Sequence, residues 1–485
     1  MAPGSDKILV LVQLLGGNDG LQAVIPLDKY DNLVKARPNI ILPQNKVLKV
    51  KDELGLHPGM TGLRSLYDDG RLGIVHSVGY PNQNRSHFRS TDIWSSGSPA
   101  NVFWNTGWLG RYFETQAPGF PEGYPNAQNP DPFAITLSST VSETCQGTIS
   151  NYSLTLSDPF ALVQLAEGSG GQTPDTPYGH ELAFLRTAIL QTNDYADSIT
   201  AAAKKGKNLA TYPANNALAT QLKNIALLIS GGLKTNVYIA RLGGFDTHAN
   251  QVDVLDTTRG VHANLLTGLS DAIAAFQNDL KLMKQEERVI GLTFSEFGRQ
   301  IKSNNSAGTD HGTAAPLFVF GSCVKTPVLG KNPDIPDQLQ PQEGVAMQFD
   351  FRDIYGSILM DWFGVAESAV KTLLHPNFVR LPIVKPCELA TPTDDIVSGA
   401  IEAYNYPNPF FDQTTIAFDS PGGLLRISLY DALGSELMVL ANEPFPAGPQ
   451  EFTFNGHQLA AGNYYIRIQS SKARQTTLRM VKTGR

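Results

Sequence analysis

Carboxylates and imidazoles gather in four short segments of this chain. Asp19 lies in Gly16-Gly17-Asn18-Asp19-Gly20, and Asp246 and His248 lie in Gly243-Gly244-Phe245-Asp246-Thr247-His248. Glu296 lies in Ser295-Glu296-Phe297-Gly298-Arg299, and Asp310 and His311 in Gly308-Thr309-Asp310-His311-Gly312. Brought together, oxygen and imidazole donors hold one or two divalent ions such as Zn, Mn, Mg or Ca. Such ions neutralise a phosphoryl or sulfuryl oxyanion and lower the pKa of an attacking hydroxyl, which is hydrolase chemistry. A fifth segment, Asn84 to Gly97, carries Ser86, His87, Arg89 and Ser90. A hydroxyl that opens a helix between Arg and His is placed to attack an anionic ester. Ser86 is the candidate nucleophile, Ser90 the alternative one turn later, and His87 a ligand or proton donor. Arg85 and Arg89 would steady the substrate's oxygens as bidentate donors.

Each segment also has a plainer use. An Asp after Gly-Gly serves as a turn residue or helix N-cap, and Asp246 with His248 fits a capped loop. Glu296 and Arg299 fit a local ion pair, and Ser86 fits an N-cap. His311 beside Asp310 is more pointed, because a carboxylate can orient an imidazole ligand. What favours a site is placement: the segments follow, or in the case of His311 precede, runs that read as core strands.

Those runs are Ile8–Leu15, Leu72–Val78, Asn236–Leu242, Arg288–Phe294 and Leu317–Phe320, rich in Val, Leu and Ile. They read as buried strands of a sheet covered on both faces. Helical patterns lie between or after them at His180–Lys205, Asn215–Ser230, Val261–Lys284 and Phe351–Phe363. The expected fold is therefore α/β, a doubly wound sheet with helices on both faces, whose functional groups collect at the carboxyl ends of its strands. Asp19, Ser86, Asp246, His248, Glu296 and His311 are expected in one cleft there. Near Pro386 the composition changes. Residues 386–402 read as a polar, Pro/Thr-rich linker, and 403–485 as a small C-terminal antiparallel β-sandwich. Its expected strands include Thr414–Phe418, Leu424–Tyr430, Glu436–Leu440 and Gln450–Asn455, with Pro421-Gly422-Gly423 as a turn between the first two.

A chain of 485 residues exceeds one ordinary domain. Its net charge of −7 gives no electrostatic reason to expect nucleic acid as a partner. No stretch approaches the roughly 18 apolar residues of a membrane span. Cys145, Cys323 and Cys387 permit at most one disulfide and leave an odd thiol, and Cys323 reads as a small residue at a strand end. Met1-Ala2-Pro3-Gly4-Ser5 reads as a replaced start from which a native leader has been removed.

Together, Gly-Gly-Asn-Asp-Gly, Ser-His-Phe-Arg-Ser-Thr-Asp-Ile-Trp, Gly-Gly-Phe-Asp-Thr-His, Ser-Glu-Phe-Gly-Arg and Thr-Asp-His-Gly resemble the DUF1501 family over about residues 7–385. That family is secreted and grouped with the alkaline phosphatase and sulfatase superfamily. The resemblance implies an alkaline-phosphatase-like sheet with metal ligands at Asp19, Asp246, His248, Glu296, Asp310 and His311, and a nucleophile at Ser86. Two departures bear on the second ion. Asp246 and His248 stand closer than the superfamily's pair, and a lone Glu296 replaces its Asp-His. The tail resembles the type A C-terminal sorting domain of the type IX secretion system. The resemblance rests on Tyr406-Pro407-Asn408-Pro409-Phe410, Leu429-Tyr430-Asp431-Ala432-Leu433-Gly434 and Leu459-Ala460-Ala461-Gly462-Asn463-Tyr464-Tyr465. It implies a Bacteroidetes-type bacterium, export through the periplasm by the type IX machinery, and release or attachment at the cell surface. The expected function is a secreted metal-dependent hydrolase of phosphate or sulfate esters, acting on a small ester or a sulfated or phosphorylated polymer. The alternative is a non-catalytic secreted or surface-attached binding protein on a degenerate phosphatase scaffold.

Overall fold

The computed structural model describes residues 6–161, 176, 193, 195–385, 387, 401, 403–432, 435–470 and 475–484. The chain divides into two compact units, Met1–Leu389 and Ala390–Arg485. The expected linker, 386–402, lies outside the described residues except for Cys387 and Ile401, as do residues 180–192 of the expected helix His180–Lys205.

The five apolar runs all form strands: β1 Ile8–Leu15, β2 Leu72–Gly79, β3 Val237–Gly243, β4 Val289–Phe294 and β5 Ala315–Phe320. They build a nine-stranded mixed sheet ordered Val328–Leu329, β2, β5, β4, β1, β3, Ala134–Thr136, Ser153–Thr155, with Phe349–Asp350 also beside β2. Alternate residues of β1 enter two different cores, because successive side chains of a strand point to opposite faces. Ile8, Val10, Val12 and Leu14 pack with helices α1 Thr61–Asp68, α4 Ala217–Ser230 and α5 Val261–Leu282. Leu9 and Leu11 pack with α2 His87–Ser96, α3 Trp108–Gln116 and α6 Phe351–Asp361. Helices α4 and α6 start where a side chain satisfies a first-turn amide: Asn216 accepts from Ala219 N at 2.9 Å, and Asp350 from Arg352 N at 3.0 Å.

The sheet departs from an all-parallel one at β5. This strand runs antiparallel to both neighbours, with Leu317 opposite Val75 and Val319 opposite Leu292. β1 is parallel to β3 and β4, so the loops after these strands share one edge of the sheet. The reversal of β5 brings the segment that precedes it, with Asp310 and His311, to that same edge.

Cys323 is not a lone small residue. It is disulfide-bonded to Cys387, 64 residues on, beside paired backbone in which Lys385 N donates to Cys323 O at 2.9 Å. Cys145 is the buried free thiol.

The second unit is a five-stranded antiparallel curled sheet of Ala403–Tyr406, Gln413–Tyr430, Glu436–Asn455, Gly462–Ser470 and Gln475–Lys482. The turn expected at Pro421-Gly422-Gly423 does not separate two strands. Gly422 and Gly423 take φ of 77° and 94°, so the strand bends without losing its partner, and pairing runs on from Gln413 opposite Asn455 to Tyr430 opposite Glu436. One bent sheet thus encloses a core of Ile416, Phe418, Leu425, Ile427, Ile466 and Ile468. Because each unit has its own core, a chain ending at residue 395 should keep the first unit folded, with an unchanged urea midpoint by Trp fluorescence. Loss of cooperative unfolding in that shortened chain would contradict the division.

Three buried histidines are held neutral. Burial pushes His57 down to about 3, with the charge of His262 adding to it, and pushes His76 down to about 4. Burial also lowers His262 to about 4 against the opposing pull of Asp19. Above pH ~6.5 both folded and unfolded rings are neutral and nothing is gained or lost. As pH falls from about 6.5 towards 4 the unfolded chain takes up protons that the folded chain refuses. Stability should therefore drop across that window, by up to roughly 1.4 kcal/mol per pH unit for each ring. Urea midpoints at pH 7 and pH 5 measure this, and equal midpoints would refute it.

Candidate functional site

Helix α2 begins where Asn84 Oδ1 accepts from Ser86 N at 2.8 Å and Ser86 takes the extended N-cap conformation, and it ends at left-handed Gly97. Its first residue, His87, faces the loops after β1, β3 and β4. His87 Nδ1 meets Glu296 Oε1 at 2.7 Å, and the same oxygen accepts from Gly16 N at 2.8 Å. His248 Nδ1 meets Asp310 Oδ1 at 2.9 Å, and His311 Nδ1 meets the carbonyl of Arg85 at 2.8 Å. Each of these three rings is thus anchored at Nδ1 by an oxygen that accepts where the nitrogen carries the proton.

The three Nε2 atoms then turn towards Asp246. His248 Nε2 and His311 Nε2 lie 3.1 and 3.3 Å from Asp246 Oδ1 and 2.9 Å from each other. His87 Nε2 lies 3.5 Å from Asp246 Oδ2 without a hydrogen bond, and it is buried with no partner. The ligand atoms of His87, Asp246 and His311 all fall within 4.8 Å of one another, and His248 adjoins two of them. Ring nitrogens gathered around one carboxylate are donors of the kind a divalent cation takes. Rings fixed at one nitrogen by a carboxylate or carbonyl, with the other nitrogen converging on a carboxylate, are built as metal sites are. His87, Asp246 and His311 could thus hold a divalent ion, with His248 beside two of them and Glu296 and Asp310 fixing two of the rings.

Electrostatics agree. Burial opposes the charge on Asp246, but the hydrogen bond and charge of Arg299 outweigh it and hold the carboxyl below the usual range. Burial likewise opposes Asp310, and the hydrogen bonds from His248 and Asn304 outweigh it. His311 is lowered, chiefly by burial, which keeps the ring neutral and able to ligate.

Three expected site residues stand elsewhere. Asp19 is fully buried, and its carboxylate is taken by Arg37 at 2.7 and 2.9 Å and by Gln251 Nε2 at 2.7 Å, leaving no oxygen for an ion in the cleft. Ser86 is exposed at the N-cap and lines no part of the cleft. Arg89 donates to the carbonyls of Pro99, Ala100 and Val102 and lies over Phe103, so it is a clamp for that loop and not a substrate donor. The alternative hydroxyl, Ser90, is buried between Tyr80 and the carbonyl of Glu296. Arg85 is spent on the carbonyls of His311 and Gln342.

The cleft beside the imidazoles measures about 400 Å³ and is lined by Leu15, Gly16, His87, Phe88, Thr91, Asp92, Glu143, Asp246 and Glu296. Thr91 and Asp92 follow His87 and Phe88 by one helical turn, a spacing that marks them as neighbours on one face. Glu143 opens a short 3-10 turn, Glu143–Cys145, whose sequence carries no such signal.

The profile of the family described as "Protein of unknown function (DUF1501)" matches residues 42–361. The chain belongs to the DUF1501 family. A second profile, "Secretion system C-terminal sorting domain", matches residues 405–483. That tail indicates export of this DUF1501 protein by type IX secretion to the cell surface or extracellular space, and implies an interaction with the type IX machinery. Among the described residues no helix is long and apolar enough to cross a membrane.

No curated protein matches the chain. Among solved structures it is similar to PorZ, an essential surface component of the type IX secretion system of Porphyromonas gingivalis, at 17% identity and TM-score 0.14, over 17% of this chain and 11% of that one. It is similar to a β-glucosidase from Listeria innocua at 16% identity and TM-score 0.13, over 17% of this chain and 16% of that one. A structure described in work on glycosaminoglycan metabolism by Bacteroides thetaiotaomicron, labelled BT33494S-sulf, is similar at 12% identity and TM-score 0.33, over 98% of this chain and 90% of that one. The DUF1501 chain thus spans only 11% and 16% of the first two, and these low scores carry no argument about its fold or activity.

Proposed function

We propose that the DUF1501 domain is a secreted metal-dependent ester hydrolase on an alkaline-phosphatase-like scaffold, with a single divalent ion held by His87, Asp246, His248 and His311. The observation that carries this reading is the buried Nε2 of His87, without a hydrogen bond and 3.5 Å from Asp246, beside two other Nε2 atoms whose rings are anchored at Nδ1. Bound there, a divalent ion polarises an ester oxygen and acidifies water. Glu296, Asp310 and the Arg85 carbonyl keep the three rings in the ligating tautomer. Thr91 is the hydroxyl lining the cleft, and Asp92 and Glu143 set its charge.

Phosphate and sulfate esters are the substrate class that the resemblance to the alkaline phosphatase and sulfatase superfamily implies. Arg85 is held away from the cleft and Arg89 pairs with Asp92 at 3.8 Å, so Glu143 beside Asp92 is left to repel anionic charge beyond what the ion meets. The cleft therefore favours a singly charged sulfate ester or phosphodiester over a doubly charged phosphate monoester.

Elemental analysis should find one ion per chain, and aryl sulfate or bis-aryl phosphate should be turned over faster than aryl phosphate. Ser86→Ala should keep turnover within a few-fold, since Ser86 does not line the cleft. A loss on the order of 10³-fold in that variant would restore Ser86 as nucleophile. The second reading, a non-catalytic binding protein, is favoured by the displacement of Ser86 and Arg89. Absence of both bound ion and turnover decides for it.

A further inference from the structure

We propose that the Arg299 guanidinium is a built-in cation in the place of a second metal ion, so that this centre holds one ion and no more. The inference rests on the single-ion reading above. The Arg299 side chain has no exposed surface. An arginine does not lose its proton in a protein, so it carries a permanent positive charge into the loops around the imidazoles.

What surrounds it is a set of oxygens. Arg299 Nε donates to Gly17 O at 2.7 Å and Nη1 to Thr309 O at 2.8 Å. Nη2 donates to Gly16 O, to Phe245 O at 3.1 Å and to Asp246 Oδ1 at 2.6 Å. Four carbonyl oxygens and one carboxylate oxygen, drawn from the loops after β1 and β3 and the segment before β5, are the kind of donors that Ca²⁺, Mg²⁺ and Mn²⁺ take. An arginine present only to pair with Asp246 would need one of those five partners. Gly16 and Gly17 have φ of 120° and 78°, a backbone few other residues adopt, and this conformation turns both carbonyls onto the guanidinium.

The neighbouring carboxylate repeats the pattern. Asp19, at the end of the same glycine turn, is matched by Arg37 at 2.7 Å with both side chains buried. Two carboxylates are thus answered by two fixed arginine charges, while three imidazoles and the second oxygen of Asp246 remain to hold one ion. Arg299 is a positioning residue in this scheme. It holds Asp246 Oδ1 at 2.6 Å and leaves Oδ2 facing His87.

The test counts ions without reference to turnover. Full-length wild type, Arg299→Ala and Arg299→Lys are dialysed against Zn²⁺ and then Mn²⁺, and bound metal is measured by elemental analysis. Arg299→Ala should bind one Mn²⁺ more than wild type, because the oxygen set loses its cation and gains room. Arg299→Lys should gain none, because its ammonium keeps the charge. Two ions in wild type, or no extra Mn²⁺ in Arg299→Ala, overturns the proposal. Should Arg299→Ala not fold in chelator, refolding in millimolar Mn²⁺ should restore it, and failure in Mn²⁺ as well overturns the proposal. His311→Ala separates the two readings: it should lose the histidine-bound ion and gain no Mn²⁺. A wild type without any ion defeats the hydrolase reading, whereas an extra Mn²⁺ in Arg299→Ala would still support the role of Arg299.

Discussion

His311→Ala should empty the centre of its ion and abolish turnover. His311 is held by the Arg85 carbonyl at Nδ1, and its Nε2 meets both Asp246 and His248. Truncation removes one ligand and uncouples the Asp246–His248 edge from the helix start at Arg85. Turnover should fall on the order of 10³-fold or more. Metal affinity should fall by more than the ~10–100-fold expected when only an orienting partner is lost, as in Asp310→Asn. The ranking matters as much as the size. Competition with a chelator should place wild type first, Asp310→Asn second and His311→Ala last, with unchanged circular dichroism in all three. Equal affinity in wild type and His311→Ala would remove His311 from the ligand set.

Arg37→Ala should be the most destabilising single change in the first unit, by about 3–5 kcal/mol, because it strands a buried, unpaired carboxylate at Asp19. Burial alone would push Asp19 towards protonation. The Arg37 charge, aided by His262 and by hydrogen bonds from Arg37 and Gln251, holds its carboxyl low. Arg37 also donates to the carbonyls of Ile301 and Gln300 at 2.7 Å each, which are lost with it. Asp19→Asn in the Arg37→Ala background should restore a large part of the loss by removing the stranded charge. All four tryptophans, Trp94, Trp104, Trp108 and Trp362, fall in the first unit, so urea unfolding followed by Trp fluorescence reports on it in the intact chain. A loss below ~1 kcal/mol would mean that Asp19 is solvated or neutral.

The strands and most helices were readable because each buries a long apolar run, and burial on two faces leaves a pattern in the residue types themselves. That is why Ile8–Leu15 and Val261–Leu282 match their expected extents closely. Direction is another matter. Nothing in Ala315–Phe320 distinguishes a parallel from an antiparallel strand, since both bury the same side chains. The curl of the tail was hidden for a similar reason: Pro421-Gly422-Gly423 looks the same whether the glycines end a strand or bend it.

In the site, Asp246, His248 and Glu296 were legible as loop residues after core strands, whereas Asp310 and His311, expected in a loop, lie on a short strand, Thr309–His311, paired with Arg299–Ser303. Asp19 was misleading, because its partners Arg37 and Gln251 come from segments that local spacing cannot connect to it. Ser86 followed from motif order, yet an exposed N-cap and a cleft-facing nucleophile share one local sequence. Only the direction of the helix decides between them. That direction turns His87, one residue later, inward.

The disulfide decides how the domain answers a pull. Any tension applied through the tail would enter the first unit at Cys387. The covalent link to Cys323 carries it directly to the residues just past β5, a strand with partners on both sides. The intervening segment, including α6, is shunted out of the load path. It is not the first part to be peeled away, and the force is borne instead by the middle of the sheet, where many backbone bonds must break at once.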